Sequence, residues 1–157
     1  MAGGDPEAAE RSARRSLIVS RWSPLARHLM QRAYGTLITA APDVATAVAV
    51  VDEADAATDD RTRCKYCDVA LDIPATIALA AAGRTSEAER RLDRARIGAL
   101  AWHGTAWEAG VLEAEAAVAQ ANGRSDEVEG LLVQAAALFD RAGQPLDASR
   151  CREAAEG

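Results

Sequence analysis

The sequence predicts an all-α fold, and three observations carry that expectation. Gly83-Arg84-Thr85-Ser86-Glu87-Ala88-Glu89 recurs forty residues later as Gly123-Arg124-Ser125-Asp126-Glu127-Val128-Glu129. The register continues at +5, +9 and +12 from each glycine, with Ala88, Leu92 and Ala95 in one copy and Val128, Leu132 and Ala135 in the other. Gly143 opens a partial third copy, with Ala148 and Ala155 in step but Arg152 in the large apolar slot. Fixed spacing, glycine punctuation and helical periodicity together describe stacked helical hairpins, each too apolar on one face to stand alone. Second, apolar residues make up 49% of the chain but aromatics only 4%, and alanine supplies much of the difference. Alanine favours helix and lets helices approach closely. Third, the alternation of β-branched and aromatic residues that would argue for strands is almost missing.

The elements follow in order. Residues 1–15 lack apolar periodicity and read as a disordered tail, leaving 16–157 as the helical-repeat domain. Ser23-Pro24 is a capping residue followed by proline in the first turn, which opens a helix with Leu25, Leu29, Met30, Ala33, Leu37 and Ile38 on one face. Pro42-Asp43 restarts the chain into a helix over 44–57, which Thr58-Asp59-Asp60 ends. The next helix is expected from about Arg61 to Ala82, kinked or divided at Pro74 by the missing donor. Ser86 with Glu89, and Thr105 with Glu108, are capping boxes for helices ending near Leu100 and Ala121. Asp126 with Glu129 starts a helix that stops at Gly143, and Pro145 opens a short last one. About seven helices, three of them ended by Gly83, Gly123 and Gly143, make an antiparallel stack.

Composition narrows the function classes. The formal net charge is −6, and Lys65 is the one lysine among the basic residues. An acidic chain is repelled by a phosphate backbone, so no direct nucleic-acid partner is expected. The run Arg11, Arg14, Arg15, Arg21, Arg27, Arg32 is read as a solvated face. No segment approaches the ~20 apolar residues of a membrane helix, so no membrane partner is expected. Three cysteines behind a polar opening segment predict reduced thiols in a cytoplasm.

The pattern Gly-x4-Ala-x3-Leu-x2-Ala resembles the tetratricopeptide family. A second likeness lies in residues 139–151, Phe-Asp-Arg-Ala-Gly-Gln-Pro-Leu-Asp-Ala-Ser-Arg-Cys, taken with Cys64-x-x-Cys67 and Trp102-x4-Trp107-Glu108. These resemble the helical-solenoid tail of actinobacterial LuxR-type transcriptional regulators, over roughly residues 60–157. The resemblance implies a protein–protein interaction module in or beside such a regulator. The chain departs from a whole regulator in lacking a Gly-x4-Gly-Lys-Ser/Thr phosphate loop and a DNA-reading helix pair after Cys151.

Cys64-Lys-Tyr-Cys67 is the most suggestive chemical feature. Two thiolates at this spacing can grip one zinc, with His103, His28 or Cys151 as further ligands. His103 is preferred, because it opens the equivalent helix of the next hairpin and those helix ends should be neighbours. A zinc or redox sensor built on Cys64, Cys67 and His103 is thus the alternative to the leading expectation, in which the cysteines are small buried hydrophobes and no cofactor binds. Cys151 falls on the stripe of Ala148 and Ala155 and is expected in the core. Trp107 is expected to anchor a hairpin contact. Glu113 and Glu115, two apart on a helix and hence on different faces, are read as solvated charges. No triad or His-Glu-x-x-His pattern supports an enzyme. Residues 44–51 are apolar around much of the helix, so a homodimer or docking contact through residues 16–58 is expected.

Overall fold

The computed structural model describes residues 5–58 and 64–157. Among these, eight helices and no strand are found: α1 (Pro6–Ser20), α2 (Ala26–Ala40), α3 (Val44–Ala57), α4 (Val69–Ala81), α5 (Thr85–Ala99), α6 (Ala106–Ala121), α7 (Ser125–Arg141) and α8 (Pro145–Ala155). The expected helix start near Arg61, and the stop at Asp59 and Asp60, lie outside the described residues.

The expected tail is corrected from Pro6 onward. Asp5 caps α1 by accepting from the Ala8 N–H at 3.0 Å, and Pro6 stands in the first turn. Ala13 and Leu17, four apart, are the buried apolar side chains of α1, which packs on α2. Two such residues make too thin a stripe for periodicity to register. Arg14 adds a bond of 2.8 Å to Glu53 on α3.

Three helix stops share one geometry. Gly83, Gly123 and Gly143 all adopt φ near +73°, at 74°, 72° and 73°. The N–H after each glycine reaches back five residues, from Arg84 to Leu79 O, Arg124 to Ala119 O and Gln144 to Phe139 O, each at 2.9 Å. This is the Schellman closure, which serves carbonyls that the helix end leaves open. Because it turns the chain so tightly, α5 and α7 begin at Thr85 and Ser125, and Ser86 and Asp126 already lie inside them. The capping box expected at Ser86 does not form, and Asp126 lies one residue inside α7 rather than at its cap. A guanidinium clamp stands at each start instead: Arg84 forks onto Glu87 at 2.7 Å, and Arg124 meets Glu127 at 2.5 Å. At α6, Thr105 caps as expected, while Glu108 accepts from the N–H of Gly104 at 2.6 Å.

α2, α4 and α6 pack side by side, each followed by its antiparallel mate α3, α5 or α7, with α8 closing on α7. The stack has two apolar clusters, and α6 belongs to both. Val111, Ala114 and Val118 join the core built by α1 to α5, while Ala109 and Ala116 join Leu132, Ala135, Phe139, Ala148 and Cys151. Of the repeat positions, Ala88, Leu92, Ala95, Leu132, Ala135 and Ala148 are buried, and Val128 is half-buried against the second cluster. α3 hides Ala47, Val50, Val51 and Ala54 within its own chain, so the bare circumference expected there is largely covered.

α4 runs unbroken through Pro74, and the expected division into two short helices is absent. The carbonyl of Ala70 has a proline in place of its helical donor. A polar knot also crosses this helix. Asp72, fully buried, accepts from Arg91 at 2.8 Å and from Arg94 at 3.1 and 3.2 Å, while Arg91 also grips Asp55 at 2.5 Å. The knot joins α3, α4 and α5, and nothing in a run of surface-like charges announced it.

Candidate functional site

The turn between α3 and α4 carries the chemistry. Cys64 O accepts from the N–H groups of Cys67 (2.8 Å) and Asp68 (2.9 Å), which folds Cys64-Lys-Tyr-Cys67 into one compact turn leading into α4. α2 crosses beside it. His28, in the first turn of α2, sets its Nδ1 3.1 Å from the Cys67 sulfur. One turn further on, the buried Gln31 donates through Nε2 to the carboxylate of the equally buried Asp68. Gln31 Oε1 is buried without a hydrogen-bond partner among the described residues. The Gln31–Asp68 bond therefore holds the start of α2 against the Cys64 turn.

The turn is clamped from its other side as well. Trp102, in the connection between α5 and α6, donates its indole N–H to Tyr66 O at 3.1 Å. Gly98 brings α5 so close that a Cβ there would stand 2.8 Å from Lys65 O. A larger residue at 98 would push the turn away.

Donor atoms of His28, Cys64 and Cys67 all lie within 4.8 Å of one another. The two thiols are not equivalent. Burial pushes the Cys67 thiol up to about 11, with its hydrogen bond to Cys64 acting in the same direction. Burial also opposes ionisation of Cys64, but hydrogen bonds to its sulfur from Cys67 and from the N–H groups of Tyr66 and Cys67 outweigh it. The Cys64 thiol is held below its ordinary value. This is a donor set of two sulfurs and one imidazole nitrogen, which suits zinc and similar soft ions.

The structure brings together Cys64 and Cys67 but replaces His103 by His28. The hairpin ends are neighbours as expected, yet it is Trp102 that reaches the turn. His103 is exposed and directs Nδ1 to Glu108 Oε1 at 3.4 Å. A signal for His28 was present: it shares a helical face with Gln31, Gly35 and Ile38, which is the face α2 buries against its neighbours. Cys151 is buried and its thiol is pushed up to about 11 by that burial, as befits a core residue. Glu113 and Glu115 do face apart, but each is ion-paired rather than merely solvated, to Arg150 at 2.8 Å and to Arg96 at 2.8 Å. Trp107 packs on the first core cluster.

A separate groove of about 480 Å³ has α6 as floor and α5 and α7 as walls. Leu100, Leu112 and Leu138 line it, rimmed by Arg96, Glu108 and Arg141. Leu100 is 67% exposed. No described helix is long and apolar enough to cross a membrane.

Compared with protein-family models, curated proteins and solved structures, the chain matches none of them. Its own geometry defines the class: an all-α stack of helical hairpins with a Cys-x-x-Cys turn facing a histidine.

Proposed function

We propose that this chain is a non-enzymatic protein–protein interaction module, the role implied by its resemblance to the solenoid tails of LuxR-type regulators. The observation that carries the reading is the groove over α6. Leu100 stands open to solvent at its edge, the half-buried Leu112 and Leu138 lie behind it, and the groove reaches from one hairpin to the next. The occupant we assign is a short amphipathic segment of a partner protein. Its apolar side chains would meet Leu100, Leu112 and Leu138, and an acidic residue would meet Arg141 at the end of α7. Fully burying an exposed leucine contributes about 1.5–3 kcal/mol, so Leu100 would supply the largest share and the half-buried Leu112 and Leu138 correspondingly less.

The test compares proteins captured by the wild-type chain with those captured by Leu100→Asp and Leu138→Asp. Synthetic peptides from any captured protein are then titrated against each purified variant. Peptide binding that both substitutions abolish, with far-ultraviolet circular dichroism unchanged, supports the reading. Capture and peptide binding indifferent to both substitutions reject it.

A further inference from the structure

We propose that His28, Cys64 and Cys67 form a binding site for zinc or a similarly soft divalent ion, with water completing the coordination. The site is independent of the groove and of any partner.

Geometry is the first support. Zinc–sulfur bonds of about 2.3 Å and zinc–nitrogen bonds of about 2.0–2.1 Å place tetrahedral ligand atoms roughly 3.4–3.8 Å apart. Three donor atoms already within 4.8 Å of one another need only small side-chain rotations to meet that figure. The imidazole is the discriminating observation. A dithiol that merely cycled to a disulfide would need Cys64 and Cys67 alone, whereas here a third donor from a different helix is aimed at the Cys67 sulfur at 3.1 Å.

The surroundings are built to hold the donors in place. The turn is fixed from α6's side by Trp102 on Tyr66 O, and from α2's side by Gln31 on Asp68. The N–H groups of Cys67 and Asp68 close the turn on Cys64 O at 2.8 and 2.9 Å, which fixes the spacing of the two cysteines. Chemically, coordination releases the two thiol protons to solvent and forms two metal–sulfur bonds. The neutral imidazole gives its Nδ1 lone pair and keeps its proton on Nε2. Two thiolates then balance the charge of the divalent ion. Bound there, the ion would join the start of α2 to the start of α4.

The experiment uses the full chain, reduced and stripped of metal, titrated with cobalt(II) alone and then with zinc(II). We expect one cobalt per chain, a near-ultraviolet thiolate-to-cobalt charge-transfer band with visible bands of four-coordinate cobalt, and displacement by zinc. Cys64→Ser and Cys67→Ser should abolish the charge-transfer band. His28→Ala should weaken binding at least about tenfold. Cys151→Ser and His103→Ala should leave it unchanged. Circular dichroism of each variant reports folding, and His28→Gln replaces His28→Ala should the latter unfold. A reduced protein without the band, a band that survives in both serine variants, or affinity unchanged in a folded His28 variant would overturn the site. So would a Cys64–Cys67 disulfide that, once reduced, takes up no metal.

Discussion

Gly35 rests on the carbonyl of Ala70, the acceptor whose helical donor is replaced by Pro74. A Cβ at position 35 would overlap that oxygen and approach the Pro74 ring at 3.5 Å. Two rule-breaking residues, a glycine and a proline inside helices, thus meet at one crossing of α2 and α4. The proline leaves a carbonyl open, and the glycine lets a neighbouring backbone cover it.

Gly35→Ala tests this crossing. An exposed helical glycine gains stability from alanine, but here the methyl group has nowhere to go. We expect a net loss of about 1–3 kcal/mol, read from urea unfolding. A gain would show that α2 can lift off Ala70 without cost.

Arg91→Met tests the polar knot. Arg91 and Asp72 are 4% and 0% exposed, so the substitution removes one guanidinium from a buried carboxylate and leaves Arg94 still bonded to it. Breaking a buried pair on one side costs about 3–5 kcal/mol, and Arg94 should reduce this toward the lower figure. Replacing both residues at once, Asp72→Leu with Arg91→Met, should cost less than Arg91→Met alone.

Overpacking distinguishes the two copies of the repeat. Ala88 is fully buried, so Ala88→Leu should cost about 1–3 kcal/mol. Val128 is half-buried, and Val128→Leu should cost well under that. Equal costs in thermal or urea unfolding would mean the two positions are more alike than their exposure suggests.

Acid should weaken the helix starts. The Gly104 N–H holds the Glu108 carboxyl below the ordinary glutamate value, and the Arg84 fork does the same for Glu87. Folding favours the ionised form in both. Their contribution is therefore fully present above the ordinary value of about 4.3, and is lost as pH falls through the lowered folded-state values. The pH profile of unfolding in that acid window should flatten in a Glu87→Gln, Glu108→Gln double variant.

Self-association is expected at the α1–α2 turn rather than on α3. Ile18, Val19, Trp22 and Leu25 are 65%, 70%, 89% and 58% exposed within eight residues of chain. Sedimentation at several concentrations should show a dimer that Trp22→Ser removes. A monomer at all concentrations would assign these side chains to ordinary surface.

Much of the stack was legible because its signals are local. A glycine that must adopt positive φ marks a helix end whatever surrounds it, so Gly83, Gly123 and Gly143 could be read directly. Ala88 and Leu92 repeat at helical spacing, which fixes their face. Half of the candidate site was legible for the same reason, since Cys64 and Cys67 share one turn. The nearness of His28 to Cys67 is not legible in the same way, because it depends on how α2 crosses α4, a tertiary fact set by Gly35 and Ala70. Asp72 and Arg91 were hidden differently. A charged side chain reads as solvent-facing, and only the packing of three helices shows that these two compensate each other in the interior. α1 is hard to read because Ala13 and Leu17 are its buried apolar side chains while Ile18 and Val19 face solvent, so no regular stripe forms.

Helix α6, which lends one face to each core cluster, has a consequence for how such a chain can change over generations. Alterations to α7 or α8 reach the first cluster chiefly through α6. A duplication that inserted another glycine-ended hairpin beyond α7 would meet the same Schellman turn and the same small-residue contact that α5 and α7 already present. The forty residues from Gly83 to Gly123 are the length that such an insertion would add. The Cys64 turn, tied to α2, α5 and Trp102 at once, belongs to the part that cannot be shuffled.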